Sequence, residues 1–190
     1  MKYYELLVDM EREKDIACYS KTEGIEPQIF MLGKKYNGWD NSFYFYFDEN
    51  EGNIATDYLV NDKHWFVVSA KLRKILETMN TEIQFLPVRI IEKRSERELA
   101  DYYIANILRV VDALCLEKSE YFETNIPKMG KIYSVLKYGI FSEKTEKSDV
   151  FKLANRQEIP IFVSENFKNR IIEEGITGID LLEIRVFENE

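Results

Sequence analysis

Two segments of the chain follow the same order of residue types, and this order limits the folds that the chain can adopt. Each starts with a short apolar run rich in valine, isoleucine and phenylalanine, which is typical of a buried strand. A serine follows, then apolar residues at helical spacing, a small or polar residue and a second apolar run. The stretches are FVVSAKLRKILETMNTEIQFLPVRI, within residues 65–91, and IFVSENFKNRIIEEGITGIDLLEIRV, within residues 159–187. We interpret them as an internal repeat of a strand–helix–strand unit.

A serine stands at the start of each predicted helix. Ser69 and Ser164 each precede a helical stripe of apolar residues, and a serine hydroxyl at this position accepts a hydrogen bond from a free amide of the first turn. Asn80 and Gly175 follow the stripes and suit a helix end, because both tolerate left-handed backbone. Ser69 and Ser164 are therefore predicted to be helix caps and not nucleophiles.

The predicted fold class is α+β, with a mixed or antiparallel sheet built around the two strand–helix–strand units. Apolar runs also predict strands over Tyr3–Val8, Ile132–Leu136 and Val150–Leu153. The charged segment Ser142–Asp149 is expected to be an exposed loop. The length of 190 residues, without a linker-like stretch, favours a single domain over residues 1–190.

An aromatic segment, WDNSFYFYF at residues 39–47, alternates between two kinds of side chain. In a strand its phenylalanines share the buried face and its tyrosines the other face, because successive side chains point to opposite sides. An acidic turn follows. We expect a candidate partner-binding surface formed by Trp39, Tyr44, Tyr46, Asp48, Glu49 and Glu51. The competing interpretation is that the tyrosines only cover one face of the sheet.

The segment Tyr102–Leu116 fits two structures. Its β-branched and aromatic content favours a strand over Tyr102–Val110 that pairs with Val88–Ile91. Its apolar residues also fit one face of a helix that begins at Ser95. In the preceding strand, Pro87 lacks a ladder donor, so that strand is expected to be an edge or to bulge at the proline.

The net charge and the cysteine content limit the kinds of partner and the cellular compartment that we expect for this chain. Twenty-six basic and 34 acidic residues give a formal charge of −8, which argues against partners with anionic surfaces, namely nucleic acid and membranes. A basic protein partner suits this charge better. No apolar run resembles a signal peptide or a membrane span. Cys18 and Cys115 form no disulfide framework, so we expect reduced thiols in a cytoplasmic protein.

Residue patterns for catalysis are scarce, and we predict no catalytic, cofactor-binding or metal-binding residues. His64 is the single histidine, and no glycine-rich phosphate loop is present. Asp112 interrupts an apolar run, and we interpret it as a turn aspartate that bonds nearby backbone amides. A carboxylate-based hydrolase or transferase stays open as an alternative, because its acids can be far apart in sequence.

Several motifs in a fixed order resemble the Imm11 family of bacterial immunity proteins. They include WFVVSAKLRKIL, FLPVRI, YYIANILRVVDALCLEKSEY and FKLANRQEIPIFVSENFKNRIIEEGITGIDLLEI. The resemblance covers residues 57–190, and residues 1–56 match more loosely. It implies a cytoplasmic, non-enzymatic protein that binds and neutralises a cognate toxin of a polymorphic toxin system. The positions that match are read as scaffold: Ser69, Asp112, Glu117, Lys118, Ser119, Phe151 and Ser164.

The resemblance and the residues together give three hypotheses. The first is an immunity protein that occludes a toxin, with the acidic surface suited to a basic one. The second is the carboxylate-based enzyme, which predicts a concave pocket with convergent acids of shifted pKa. The third is a structural, self-assembling module in which the strands Phe43–Phe47 and Ile83–Ile90 pair edge to edge between copies. Monomer and homodimer are both compatible with the first hypothesis.

Overall fold

The computed structural model describes residues 1–20, 25–40, 42–127, 130–155 and 159–188. Within these ranges the chain forms fifteen strands and two α-helices. The strands are β1 Tyr3–Val8, β2 Ala17–Ser20, β3 Tyr44–Phe47, β4 Tyr58–Asn61, β5 Val67–Ser69, β6 Ile83–Glu92, β7 Glu98–Ile107, β8 Val110–Val111, β9 Glu120–Ile126, β10 Gly130–Lys137, β11 Gly139–Phe141, β12 Val150–Leu153, β13 Ile161–Ser164, β14 Ile179–Glu183 and β15 Arg185–Phe187. The helices are α1 Ala70–Leu76 and α2 Glu165–Glu173, and three short 3-10 turns cover Pro27–Phe30, Leu116–Lys118 and Ser142–Thr145.

Six strands close into a barrel in the order β2-β3-β6-β7-β5-β4. The pairs β2–β4 and β3–β6 are parallel, and the other pairs are antiparallel. The barrel interior is filled mainly by aromatic and β-branched side chains, as the alternation in the strands requires. Its fully buried members include Ile16, Cys18, Phe43, Phe45, Phe47, Leu59, Trp65, Val67, Ile90 and Ile104.

A five-stranded sheet, in the order β14-β1-β13-β12-β8, stands beside the barrel. A second apolar cluster joins this sheet, both helices and the outer side of β5 and β7. Val67 points into the barrel while Val68 points into this second cluster, so β5 is buried on both faces. This double burial explains why the run before Ser69 contains only apolar residues.

Both predicted caps are confirmed. The hydroxyl of Ser69 accepts a hydrogen bond from the amide of Leu72, and that of Ser164 accepts one from the amide of Phe167. Each distance is 3.2 Å. The helices are only seven and nine residues long, so tertiary packing on their apolar faces has to hold them.

The predicted α+β class is wrong, because the fold is mostly β and its largest element is the closed barrel. The segments at 65–91 and 159–187 do not build one sheet together. The strands of the first segment belong to the barrel, and β13 and β14 of the second belong to the five-stranded sheet. An internal repeat is therefore not the basis of this fold. The two segments look alike because a serine cap followed by apolar residues at helical spacing is common to many helices.

The helix from Ser95 is wrong, and the strand interpretation of Tyr102–Val110 is confirmed in part, because β7 ends at Ile107. The predicted pairing with Val88–Ile91 holds only for Tyr102, which pairs with Val88, while the part of β7 that follows, up to Ile107, pairs with the earlier part of β6. Strand β6 is not an edge, since it lies between β3 and β7. The register shifts between Val88 and Ile90, next to Pro87, which is the bulge that the proline predicts.

Closure of the barrel removes the edges that the self-assembly hypothesis needs. Strand β3 pairs with β2 on one side and with β6 on the other. Edge-to-edge pairing of copies through Phe43–Phe47 and Ile83–Ile90 is therefore a wrong expectation. The sequence shows which residues are extended, but whether a sheet closes depends on partners far apart in the chain.

Candidate protein-binding surface

Strand β3 divides its side chains between the barrel interior and the outer surface. Phe45 and Phe47 are buried inside, while Tyr44 and Tyr46 are half-buried on the outside. Tyr46 stands directly beside Tyr19 of β2 and Ile91 of β6. Neighbouring residues in a sheet register point to the same side, so these side chains form one continuous patch. We call Tyr19, Tyr44, Tyr46 and Ile91 the tyrosine face.

Two aromatic rings of the tyrosine face, those of Tyr19 and Tyr46, are in contact with each other. The ring centroids of Tyr19 and Tyr46 lie 5.8 Å apart with a tilt of 34°. The carboxylate of Glu51 beside Tyr19 raises the pKa of that phenol, and burial adds to the effect. Tyr19 is therefore a protonated phenol at neutral pH and can donate a hydrogen bond. The face thus combines apolar ring surface with hydroxyl groups, the composition that protein interfaces favour.

A groove of about 560 Å³ runs along this face. Its lining combines aromatic, aliphatic and charged side chains: Tyr44, Tyr46, Arg89, Ile91, Glu92, Lys93 and Glu96. The floor consists of two barrel strands held in fixed register. A partner side chain would therefore enter a largely preformed site, which lowers the entropy cost of binding.

Ion pairs surround the groove. Arg89 pairs with Glu98 across 3.0 Å, and Arg97 pairs with Glu49. Both pairs are exposed to solvent, where such a pair contributes about 0–1 kcal/mol. They can therefore exchange partners at little cost when another charged surface approaches.

Glu92 has a structural role at the end of the groove. Its carboxylate accepts hydrogen bonds from the amides of Ser95 and Arg94 and from the Ser95 hydroxyl. The amide of Ser95 is the largest cause that lowers the pKa of Glu92 to about 2. A general acid needs the opposite shift. Glu92 is therefore an ionised acceptor that shapes the β6–β7 turn.

The structure brings together only part of the predicted surface. Tyr44 and Tyr46 are in the groove, and Glu51 contacts the neighbouring Tyr19. Asp48 instead accepts hydrogen bonds from the backbone and side chain of Asn50, which lower its pKa.

Trp39 has a different location from the two tyrosines. Its ring centroid lies 5.5 Å from that of Phe43, and its Nε1 donates to the Pro87 carbonyl at 2.8 Å. It packs against the interior cluster of the barrel. The indole is large and mostly apolar, so covering the core is its main role here.

The lining of the groove does not include His64, Asp62, Cys18 or Asp112. His64 is exposed in a turn with a positive φ of 55°. Asp62 accepts hydrogen bonds from the amide and hydroxyl of Ser20. Burial raises the pKa of the Cys18 thiol to about 12. Asp112 is exposed, and its Oδ1 accepts a hydrogen bond from the Asn155 side chain at 2.8 Å.

Comparison with models of protein families identifies the family of this chain. The model of the immunity protein family Imm11 matches residues 2–186. The chain belongs to the Imm11 immunity protein family. The match begins at residue 2, so it includes residues 2–56, where the sequence motifs match more loosely. A comparison with curated proteins found no match.

Membership of the Imm11 family indicates a role in toxin immunity. Over the described ranges, no three histidine, cysteine or acidic residues are placed to hold a metal ion. In the same part of the chain, no helix is long and apolar enough to cross a bilayer.

Half of the tyrosine face and most of the groove of this Imm11 protein lie outside the surface predicted from the sequence. Tyr19 and Ile91 join it only through pairing with β3. A local signal did exist for Ile91, because Arg89 and Ile91 alternate with the buried Val88 and Ile90. The alternation shows that Arg89 and Ile91 point outward, but it does not show which strand lies beside them.

Proposed function

We propose that this Imm11 protein binds a cognate toxin through the tyrosine face and neutralises it by occlusion, without turnover of a substrate. The observation that carries the proposal is the contiguous patch of Tyr19, Tyr44, Tyr46 and Ile91 on a closed barrel. Tyrosine supplies large contact area and loses few rotatable bonds on binding. A rigid barrel holds these rings ready, which favours tight association.

The charge of the chain supports a basic toxin as the partner. The formal charge of the chain is −8, whereas the groove itself carries two acidic and two basic side chains, namely Glu92, Glu96, Arg89 and Lys93. The negative net charge of the chain speeds the encounter with a basic protein, and salt screens this attraction. We therefore expect the association rate to fall as the NaCl concentration rises.

The proposed location is the cytoplasm. Both cysteines are buried free thiols, which suits a reducing compartment. A toxin that acts inside the cell would meet its inhibitor there. Cell fractionation with an antibody against the chain tests the location, and recovery outside the cytoplasmic fraction would contradict it.

Binding to the inactivated product of a neighbouring toxin-like gene tests the function. We expect a stable complex, and we expect co-expression to protect cells from the active toxin. Tyr19→Ser should weaken binding at least about tenfold, as loss of an interface hot spot does. Tyr121→Ser is the matched control, because Tyr19 is 38% exposed and Tyr121 39%, and Tyr121 lies outside the tyrosine face.

Two outcomes would contradict the proposal at different levels. Absence of both binding and protection would remove the immunity mechanism itself. Intact binding by Tyr19→Ser and by a Tyr44→Ser/Tyr46→Ser double variant would leave the immunity role but place the contact elsewhere. Circular dichroism of each variant separates a lost contact from a lost fold.

A further inference from the structure

Strands β9 and β10 form a two-stranded ribbon that pairs with no other strand in the described part of the chain. Large apolar side chains on this ribbon are exposed, namely Tyr121, Phe122, Ile126 and Leu136. Val135 packs one side of the ribbon against the core cluster that includes Tyr138 and Ile140, so the side that carries Phe122 and Ile126 is the one left exposed. Exposed apolar residues grouped on one element indicate an interaction surface.

Large and small residues alternate across one face of the ribbon. In the register, Phe122 lies opposite Ser134, Ile126 lies opposite Gly130, and Thr124 lies opposite Ile132. Each large side chain therefore has a small one beside it. Such a face has ridges and hollows of similar size, so an identical face can interdigitate with it. We call Phe122, Thr124, Ile126, Gly130, Ile132 and Ser134 the ribbon face.

The charged groups of the ribbon are neutralised within the chain. Lys131 pairs with Glu123 at 2.8 Å, and Glu120 pairs with Lys137 at 2.8 Å and with Arg185 at 2.9 Å. Two copies of a chain with a formal charge of −8 repel each other. A face bordered by paired charges adds no local repulsion, so it suits a second copy better than a strongly basic partner.

We propose that the ribbon face docks a second copy of this chain, around a twofold axis that runs along the ribbon between β9 and β10. The apolar side chains of one ribbon then lie against the small residues of the other, and four strands pack as two layers. This inference goes beyond the proposed function and does not depend on it, since the dimer forms without the toxin. The tyrosine face lies on the barrel and takes no part in the contact.

The size of the ribbon sets the expected affinity. Seven residues of β9 extend about 23 Å, and the two strands lie about 5 Å apart. This footprint is well below the ~800 Å² per partner of a standard interface. We therefore expect a weak dimer with a dissociation constant in the micromolar range. Because salt screens the repulsion between the two negative chains, it should strengthen the dimer.

Sedimentation velocity of the purified chain at increasing concentration tests the proposal. We expect the wild type to shift from monomer to dimer, and Phe122→Gln to raise the dissociation constant at least about tenfold. Ile172→Gln is the matched control, since Ile172 is 65% exposed and Phe122 64%. A wild type that stays monomeric at every concentration overturns the proposal, as does an equal effect of the two variants.

Thiol cross-linking tests which face of the ribbon is in the contact. Thr124 and Asn125 are both exposed and neighbours in β9, so they point to opposite faces. With a short bismaleimide, Thr124→Cys should form a cross-linked dimer and Asn125→Cys should not, because only position 124 lies between the two packed layers, which are about 10 Å apart. Equal cross-linking of the two variants overturns the assignment of the face. Toxin binding that is lost in Phe122→Gln, without self-association of the wild type, overturns it in favour of the toxin.

Discussion

The hydroxyl of Ser69 donates a 2.5 Å hydrogen bond to Oδ1 of Asp57 while it caps α1. The other oxygen of Asp57 accepts from the amide of Thr177, in the connection between α2 and β14. Ser164, the cap of α2, makes the equivalent 2.5 Å bond to Asp149. Asp149 in turn accepts from the amide of Asn80, just after α1. Each aspartate therefore fixes the start of one helix and the chain that follows the other helix.

Loss of one of these aspartates should destabilise the whole fold. Asp149→Ala leaves the Ser164 hydroxyl and the Asn80 amide without this acceptor, and unpaired buried groups are costly. We expect the free energy of unfolding in urea to fall by about 2–4 kcal/mol. Asp112→Ala is the control, because Asp112 is exposed, and it should change stability by less than about 0.5 kcal/mol. Similar losses in both variants would contradict this role of Asp149.

Two glycines after α2 have the same backbone conformation but different surroundings. Gly175 and Gly178 have φ values of +60° and +81°. A Cβ at Gly178 would lie 2.4 Å from the Tyr58 carbonyl oxygen, whereas one at Gly175 would meet nothing within 4 Å. Gly175→Ala should lower the free energy of unfolding by about 1–2 kcal/mol, from backbone strain alone. Gly178→Ala should lower it by about 3–4 kcal/mol, because crowding is added to the strain. Equal losses of the two variants in thermal unfolding would contradict this effect of crowding.

Acid should weaken the fold partly through Glu92. Hydrogen bonds from Ser95 and Arg94 lower the pKa of Glu92 from an ordinary 4.5 to about 2. A lowered pKa in the folded state means that the stabilisation is complete above pH 4.5 and is lost as the pH falls toward 2. Glu92→Gln should therefore unfold at lower urea at neutral pH and lose less stability over this acid range. The exposed Glu13→Gln serves as the control and should leave stability in urea at neutral pH unchanged.

Trp65 should be the more protected of the two tryptophans. It is 1% exposed, and its Nε1 donates to the Pro27 carbonyl at 2.8 Å. Trp65→Phe removes the hydrogen bond to this carbonyl and leaves a small cavity. We therefore expect the free energy of unfolding to fall by about 1–3 kcal/mol. Iodide should quench Trp65 emission less than that of Trp39, as measured in single-tryptophan variants. Stronger quenching of Trp65 would contradict its burial in the barrel.

Local chemistry made part of the fold predictable. Ser69 and Ser164 were recognisable as caps because a cap depends on residues within one turn. The alternation of Phe45 with Tyr44 and Tyr46 predicted which side is buried, since it needs only the period of a strand. Barrel closure depends instead on pairs such as Ala17 with Val60, which no local pattern reveals.

Buried polar residues were the other source of error. The segment 142–149 was expected to be exposed because of its charge, yet Thr145, Ser148 and Asp149 are buried. Thr145 bonds the hydroxyl of Tyr3 at 2.7 Å, and Asp149 bonds Ser164. Such residues are buried because distant parts of the chain satisfy their hydrogen bonds. The same limit hid Tyr19 from the predicted surface, since only strand pairing brings it beside Tyr46.

The inward phenylalanines and outward tyrosines of β3 give one strand two separate tasks. A smaller residue in place of Phe45 would leave a cavity in the barrel interior, whereas a substitution of Tyr46 changes only the outer surface. Substitutions at every second residue of this strand can therefore change the chemistry of the outer surface while the fold is kept. An immunity protein whose partner changes in evolution can change its contact residues in this way without losing its core.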